Sequence, residues 1–254
     1  MQTPIPNQGE LQAPASAFYR QVLLSLAEAG LPFVIGGALA LRYYTGIVRH
    51  TKDLDLFVRS EDYPRVLEKF AARGYRTELT DPQWLAKVFS EEHFVDVIFG
   101  SGKGLGPVDQ AWFEHAVEAE ILGLPVRLCP PEEMIWSKAF IMERERYDGA
   151  DVAHLLRARG PELNWPRLLQ RFGMHWRVLL SHLILFEFIY PSERSQIPTS
   201  VRAELLSRLQ DEMNSSAAAE RICQGTFLSG TQYLMDLERW GYRDARLGVQ
   251  ATNK

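Results

Sequence analysis

The sequence is poor in cysteine and has little excess charge of either sign. Its 254 residues include two cysteines, Cys129 and Cys223, and neither has metal-ligand spacing around it. Two distant cysteines do not make a disulfide scaffold, so we expect reduced thiols and a cytoplasmic setting. The formal net charge of -4 gives no general attraction to nucleic acid, although a local basic patch could still exist. A nucleic-acid partner is therefore allowed but not indicated by charge.

Long apolar runs are also missing. The longest, over residues 178–190, is short and is interrupted by Ser181, His182 and Glu187, which argues against a spanning helix and predicts no membrane partner. The first fourteen residues contain three prolines and no basic segment followed by an apolar core. We therefore expect a flexible tail over residues 1–14 and not a signal peptide.

Hydrophobic periodicity predicts an α+β fold. Helices are expected over residues 16–29, 38–44 and 61–72, and strands over 32–35, 53–58, 75–79, 85–89, 94–99, 117–122 and 126–128. From Pro130 the pattern changes, and helices are expected near 131–144, 148–158, 164–172, 175–189 and 199–213. These elements predict a small mixed β-sheet with flanking helices over residues 15–160, followed by an all-helical C-terminal domain over 161–254.

Two aspartates stand two residues apart in one predicted strand. Asp53 and Asp55 project to the same face, while the alternate leucines line the other. At about 5 Å and an effective dielectric of about 20, two such charges repel by roughly 3 kcal/mol. A divalent cation between them is the simplest explanation, and Mg²⁺ is usually held by one or two carboxylates together with nucleotide phosphates. The alternative is a strand end whose aspartates face water.

A glycine pair precedes these aspartates. Gly36-Gly37 lies between a predicted strand and a helix N-terminus, where backbone N–H groups and the helix dipole favour phosphate. A tight strand-to-helix turn would also explain the pair. Because the aspartate strand follows one helix later and is expected to lie beside the first strand, the phosphate site and the metal pair should be neighbours.

A third carboxylate, Asp96, interrupts the apolar strand 94–99. A charge in such a strand is costly unless it is paired or bound to metal. An ion pair with a nearby arginine, or a strand end at the surface, is the alternative. Transfer to an acceptor hydroxyl needs a base opposite the leaving pyrophosphate, and Asp96 is our candidate.

Three further charged residues could reach a nucleotide. Lys138 falls on or beside the apolar stripe of its predicted helix, where it could neutralise phosphate or simply extend to solvent. Asp151 lies in the first turn of the next helix, where a carboxylate also stabilises the helix itself. Arg49 is a third candidate for phosphate contact.

Gly36-Gly37, the run Arg49-x-Thr51-x-Asp53-Leu54-Asp55-Leu56 and the later Val95-Asp96-Val97 together resemble the nucleotidyltransferase superfamily of the DNA polymerase β type. The similarity is specifically to its minimal and abortive-infection-toxin-like bacterial branches, and it covers roughly residues 30–158. Many relatives have Gly-Ser where this chain has Gly36-Gly37, so a serine contact to phosphate would be missing.

The resemblance implies a nucleotidyltransferase fold and a set of roles. Two Mg²⁺ ions, for which Mn²⁺ could substitute, would be held by three carboxylates: Asp53, Asp55 and Asp96. The NTP would be contacted by Gly36, Gly37, Arg49 and Thr51. Toxin-like members also carry a lysine and a later aspartate on the helices after the sheet, and Lys138 and Asp151 match those positions loosely.

The activity implied is Mg²⁺-dependent transfer of a nucleoside monophosphate from an NTP to an acceptor hydroxyl, with release of pyrophosphate. The acceptor stays open among a small molecule such as an aminoglycoside antibiotic, a tRNA 3′ end and a protein side chain. Mild acidity favours a cationic small molecule or a protein over RNA. The alternative is a catalytically silent nucleotide-binding module or an antitoxin-like partner with the same fold, against which three mutually repelling carboxylates argue.

Overall fold

The computed structural model describes residues 13–49, 51–216 and 219–249, which form two compact units. The N-terminal unit ends at Pro130, and the C-terminal unit begins at Pro131 and also includes residues 103–105. This division falls where the sheet-forming sequence gives way to helices. The predicted domains 15–160 and 161–254 place the change later in the chain, and that boundary stays a prediction. Residues 1–12 of the predicted tail lie outside the described residues, and helix α1 begins at Ala13.

A seven-stranded mixed sheet forms the centre of the N-terminal unit. Its strands are β1 (Val34–Ile35), β2 (Asp53–Phe57), β3 (Arg76–Asp81), β4 (Leu85–Ser90), β5 (His93–Ile98), β6 (Val117–Ile121) and β7 (Leu124–Leu128), in the order β3-β4-β5-β2-β1-β7-β6. β2 runs parallel to β5 and β1 parallel to β7, whereas the other neighbours are antiparallel. The predicted mixed sheet is confirmed, and β1 lies beside β2 as expected.

Helices of the N-terminal unit cover this sheet. They are α1 (Ala13–Glu28), α2 (Gly37–Thr45), α3 (Tyr63–Ala71) and the short α4 (Ala111–Glu114). α1 contacts β5, α2 contacts β2 and α3 contacts β3. On β2, Leu54 and Leu56 are fully buried while Asp53 and Asp55 are half-buried, so the predicted alternation of faces is confirmed.

The β6–β7 hairpin turns one residue earlier than the sequence suggested. Leu122 and Gly123 both have positive φ, at 53° and 68°, and they form a two-residue turn. That geometry matches the twist of the flanking strands. Pro125, which was expected in the turn, therefore lies within β7 opposite Glu120.

The C-terminal unit is almost entirely helical. Its helices are α5 (Pro131–Ala139), α6 (Gly149–Arg159), α7 (Trp165–Phe172), α8 (Trp176–Ile189), α9 (Thr199–Met213), α10 (Leu234–Glu238) and α11 (Arg246–Val249). One addition to the predicted all-helical region is a parallel pair of two-residue strands, β8 (Ile222–Cys223) and β9 (Arg243–Asp244). α5 ends before residue 144 because the chain turns back and Met142 bridges Tyr147.

The segment Trp165–Ile189 is long and apolar enough, by length and composition alone, to cross a membrane, with a mean hydropathy of 1.2. One such segment is weak evidence, since the core helix of a soluble protein has the same properties. Here the segment is divided at Gly173, whose φ is 48°, into α7 and α8. The absence of a membrane partner stays a prediction.

A buried ion network joins α5 to α7. Glu133 is fully buried and Glu132 nearly so, and Arg167 pairs with both. Arg171 lies 3.1 Å from Glu133, and Glu132 accepts a hydrogen bond from the Asn164 backbone N–H at 2.7 Å. Buried carboxylates with this many partners are stable only while the partners remain.

We expect Arg167→Ala to destabilise the C-terminal unit by about 3–5 kcal/mol, because it leaves two buried carboxylates poorly compensated. The measurement is the free energy of unfolding in urea. Arg208→Ala is the control, since Arg208 pairs with Glu204 on an exposed helix face, and its loss should cost no more than about 0.5 kcal/mol. Equal losses in the two variants would contradict the role given to the buried network.

Candidate active site

Three carboxylates share one face of two neighbouring strands. β2 and β5 are parallel and in register, with Asp55 directly opposite Asp96. Side chains opposite each other in such a pair point to the same face, so Asp53, two residues earlier, lies there too. All three side chains are half-buried. The sequence placed Asp96 on a different predicted strand from Asp53 and Asp55, and the structure pairs the two strands.

Asp96 is held by a lysine on the adjacent strand. Lys87 of β4 lies opposite Asp96 in the antiparallel register, with its Nζ 2.6 Å from Asp96 Oδ1. The expected alternative of an ion pair is thus observed, with a lysine in place of an arginine. Sequence analysis missed Lys87, although a signal existed. A two-residue turn at Glu91-Glu92 pairs Ser90 with His93 and therefore Lys87 with Asp96.

Asp53 is held by a neighbouring hydroxyl. The Thr51 side chain donates to Asp53 Oδ1 at 2.7 Å and also lies 3.0 Å from the Asp53 main-chain oxygen. Such local hydrogen bonds restrict the rotamer of the carboxylate. Thr51 was predicted to contact the nucleotide, and the structure places it beside Asp53.

Asp55 packs directly against the start of α2. A Cβ atom added to Gly37 would overlap Asp55 Oδ2, and the Gly37 φ of 55° already disfavours any side chain. The Gly36 N–H donates to the Asp55 main-chain oxygen at 3.0 Å. The Asp55 carboxylate therefore lies at the N-terminal end of a helix, where the macrodipole favours negative charge.

This contact disfavours a serine in place of Gly37. With this backbone, a serine at position 37 would compete with Asp55 for the same space. Gly36 is constrained as well, since a Cβ there would overlap the Phe57 ring, which stacks on Trp112. Glycine at positions 36 and 37 thus allows the Asp55 carboxylate to pack against the N-terminus of α2.

A cavity of about 610 Å³ opens between α1, α2 and the β6–β7 hairpin. Its lining includes Arg42, Arg49 and Thr51, together with the acidic Glu120. The volume lies in the range of roughly 300–1,000 Å³ that small-molecule sites occupy. Thr51 contributes to the cavity wall and also bonds Asp53, so the wall lies one hydrogen bond from the aspartate cluster.

Tyr19 of α1 lies close to the same carboxylates. It is fully buried, and its hydroxyl donates to the Lys52 carbonyl oxygen at 3.0 Å. Burial, together with the charges of the three aspartates, raises the pKa of Tyr19 to about 12. No sequence signal pointed to this residue, because helical periodicity places it in the core without identifying its partner.

Lys138 and Asp151 pair with each other in the C-terminal unit. The Lys138 Nζ is 2.8 Å from Asp151 Oδ2 and 3.1 Å from Asp148 Oδ2. Burial alone would lower the pKa of Lys138, but the two carboxylates raise it above its ordinary value. Its positive charge is therefore already compensated within this unit. A nucleotide role for Lys138 and Asp151 stays a prediction.

The carboxylates of the aspartate cluster fit a Mg²⁺ ion that takes its remaining ligands from a nucleotide. Among the described residues, no group of three or more His, Cys, Asp or Glu side chains is arranged to hold a metal ion by itself. Asp53 and Asp55 instead offer two carboxylates beside a helix terminus. One or two carboxylates completed by phosphate oxygens are a common way for proteins to hold Mg²⁺.

The sequence pattern of a family described as "Uncharacterised nucleotidyltransferase" matches residues 12–188. No curated protein matches the sequence. Among solved structures, the antibiotic-resistance factor ANT(2'')-Ia is 19% identical, over 80% of this chain and 97% of that chain, with a TM-score of 0.42. An antigenic nucleotidyltransferase-like protein from Paracoccidioides brasiliensis is 15% identical, over 75% and 98%, with a TM-score of 0.47.

A third solved structure, the lincosamide antibiotic adenylyltransferase LnuA with lincomycin bound, is 13% identical. It covers 58% of this chain and 97% of that chain, with a TM-score of 0.40. Identities this low say nothing about the substrates of this chain.

We expect Gly37→Ala to lower the unfolding temperature more than Gly30→Ala does. Both glycines have positive φ, which costs alanine about 1–2 kcal/mol, but a Cβ at Gly30 meets no atom within 4 Å. The collision with Asp55 should add about 1–3 kcal/mol. Thermal unfolding followed by circular dichroism measures the difference. Equal effects would mean that Asp55 does not occupy this position.

Proposed function

This chain belongs to the uncharacterised nucleotidyltransferase family, and we propose that it transfers a nucleoside monophosphate from an NTP to an acceptor hydroxyl in a Mg²⁺-dependent reaction. The observation that carries the proposal is the cluster of Asp53, Asp55 and Asp96 on one face of β2 and β5. Three half-buried carboxylates on one face repel one another, and the Mg²⁺ ion of a metal-assisted transferase would offset that repulsion.

The first part of the proposal concerns the metal. Asp53 and Asp55 would hold Mg²⁺, or Mn²⁺ in its place, together with phosphate oxygens of the donor. Bound there, the ion would offset the negative charge of the phosphoryl group being transferred. The hydroxyl of Thr51 and the start of α2 keep the two carboxylates in place before the donor arrives.

The second part concerns the donor. The N-terminal N–H groups of α2, beginning at Gly37, would bind the triphosphate, as helix termini bind anions generally. Arg49 and Thr51 line the adjacent cavity and would contact the remaining phosphates, with Arg42 as a further cation. Of the predicted NTP contacts, Arg49 and Thr51 line this cavity together with Ala38 and Leu39, which directly follow Gly36-Gly37 in the chain.

The transfer itself forms a bond from the acceptor oxygen to the α-phosphorus while the bond to the pyrophosphate oxygen breaks. Asp96 would accept the proton of the acceptor hydroxyl. Lys87 of β4, on the side of β5 opposite to β2, lies 2.6 Å from Asp96 Oδ1 and fixes the position of that carboxylate. Pyrophosphate is the leaving group, and it would carry away the electron pair of the broken bond.

Two further elements of the proposal are the acceptor and the C-terminal unit. The net charge of -4 favours a cationic small molecule or a protein ahead of a tRNA 3′ end. Lys138 and Asp151 remain proposed nucleotide contacts. Because Lys138 already pairs with Asp148 and Asp151, contact with phosphate would require one of these salt bridges to open.

The test uses purified protein with Mg²⁺ and each NTP labelled at the α-phosphate, in the presence of total RNA, of aminoglycosides or of the protein alone. We expect label transfer by the wild type and a loss greater than about a hundredfold in Asp53→Asn and Asp55→Asn, since metal-borne charge stabilisation is worth several kcal/mol. Asp81→Asn is the matched control, because Asp81 caps the turn at Gln83 on an edge strand.

Two results would overturn the proposal. Transfer that survives in both cluster variants would remove the aspartates from the mechanism. Mg²⁺-dependent NTP binding by the wild type without transfer to any acceptor would favour the silent nucleotide-binding module.

A further inference from the structure

One buried tyrosine is bonded to the peptide that leads into the metal-binding strand. The Tyr19 hydroxyl donates to the carbonyl oxygen of Lys52 at 3.0 Å. Lys52 immediately precedes Asp53, so the bonded carbonyl belongs to the peptide unit that ends at the Asp53 nitrogen. The tyrosine comes from α1, more than thirty residues earlier in the chain.

We propose that Tyr19 is a positioning residue for the aspartate pair, because its hydroxyl fixes the peptide between Lys52 and Asp53 and thereby the direction of the Asp53 carboxylate. The proposal rests on the proposed function, since it concerns the metal that Asp53 and Asp55 would hold. Tyr19 touches no reacting atom in this proposal and acts only through Asp53.

The hydroxyl is the part of the side chain that carries this role. The Tyr19 ring packs on Phe18 in the core of the N-terminal unit, and a phenylalanine ring would fill the same volume. Deleting the hydroxyl would leave the Lys52 carbonyl without this bond at the start of β2. Loss of the hydroxyl should therefore alter the geometry at the start of β2 more than the packing of the core.

Asp53 is then held from two sides. Thr51 bonds the Asp53 carboxylate and its main-chain oxygen from one side, and Tyr19 fixes the preceding peptide from the other. With one of the two removed, the carboxylate gains rotational freedom that metal binding must again remove. Partners that orient a metal ligand in this way typically change metal affinity or activity by about 10–100-fold when they are lost.

Electrostatics keep the tyrosine suited to the role. Burial, together with the charges of the three aspartates, raises the pKa of Tyr19 to about 12, so the hydroxyl is a neutral donor at ordinary assay pH. The hydrogen bond to Lys52 is thus present across the range in which the enzyme can be assayed.

The chain supplies a matched control for the test. Tyr44 is also buried in the N-terminal unit, and its hydroxyl also donates to a main-chain oxygen, that of Cys129, at 2.8 Å. Tyr44→Phe therefore deletes a bond of the same kind at the C-terminal end of α2. Tyr19→Phe and Tyr44→Phe should lower the unfolding temperature by similar amounts, and only Tyr19→Phe should alter the metal site.

The experiment is a Mn²⁺ titration of full-length wild type, Tyr19→Phe and Tyr44→Phe, followed by electron paramagnetic resonance in the presence of a non-hydrolysable NTP analogue. We expect the Kd for Mn²⁺ to rise about 10–100-fold in Tyr19→Phe and to stay within about twofold of wild type in Tyr44→Phe. In the transfer assay, the Mg²⁺ concentration for half-maximal rate should rise in Tyr19→Phe by a similar factor.

Three outcomes separate this inference from the proposed function. Equal Mn²⁺ affinities in the two variants would overturn the role of Tyr19, whatever the activity. Wild-type protein that binds no Mn²⁺ would overturn the metal site and Tyr19 with it. Wild-type protein that binds Mn²⁺ tightly, loses affinity in Tyr19→Phe and transfers no nucleotide would support the positioning role and contradict the transferase activity.

Discussion

Three carboxylates on one face of β2 and β5 repel one another, and the surrounding structure must offset that repulsion. Each carboxylate is compensated by a different element: Lys87 of β4 for Asp96, the Thr51 hydroxyl for Asp53 and the N-terminus of α2 for Asp55. Because these groups come from separate parts of the chain, the cluster depends on β4, β5, β2 and α2 being assembled together. The site is thus a property of the fold and not of a single segment.

Much of the fold follows from local pattern. β2 was predicted within one residue of its observed end, and α9 was predicted over the range it occupies, because alternating or helical burial leaves a strong signal. The same alternation placed Asp53 and Asp55 on one face. The weaker predictions fell where a turn decides the outcome, as at Leu122, whose positive φ is uncommon for leucine and cannot be inferred from hydrophobicity.

Residues that hold the site were harder to predict than residues that form it. The three aspartates interrupt apolar strands and can therefore be recognised in the sequence. Lys87 and Tyr19 fit the hydrophobic pattern of their own elements, so that pattern does not mark them. Lys87 could have been found from the register of its hairpin, because a two-residue turn determines every pair along two strands. The hydrogen bond of Tyr19 depends on how α1 packs beside the start of β2. That packing is tertiary structure, which the local sequence does not reveal.

The contact between Gly37 and Asp55 links two positions that lie a helix apart in the chain. A substitution at either one changes which residues the other accepts, so neither can be judged alone when sequences are compared. With the backbone seen here, a side chain at position 37 fits only if the Asp55 carboxylate moves or the start of α2 changes shape, so the two positions behave as a single unit of the site.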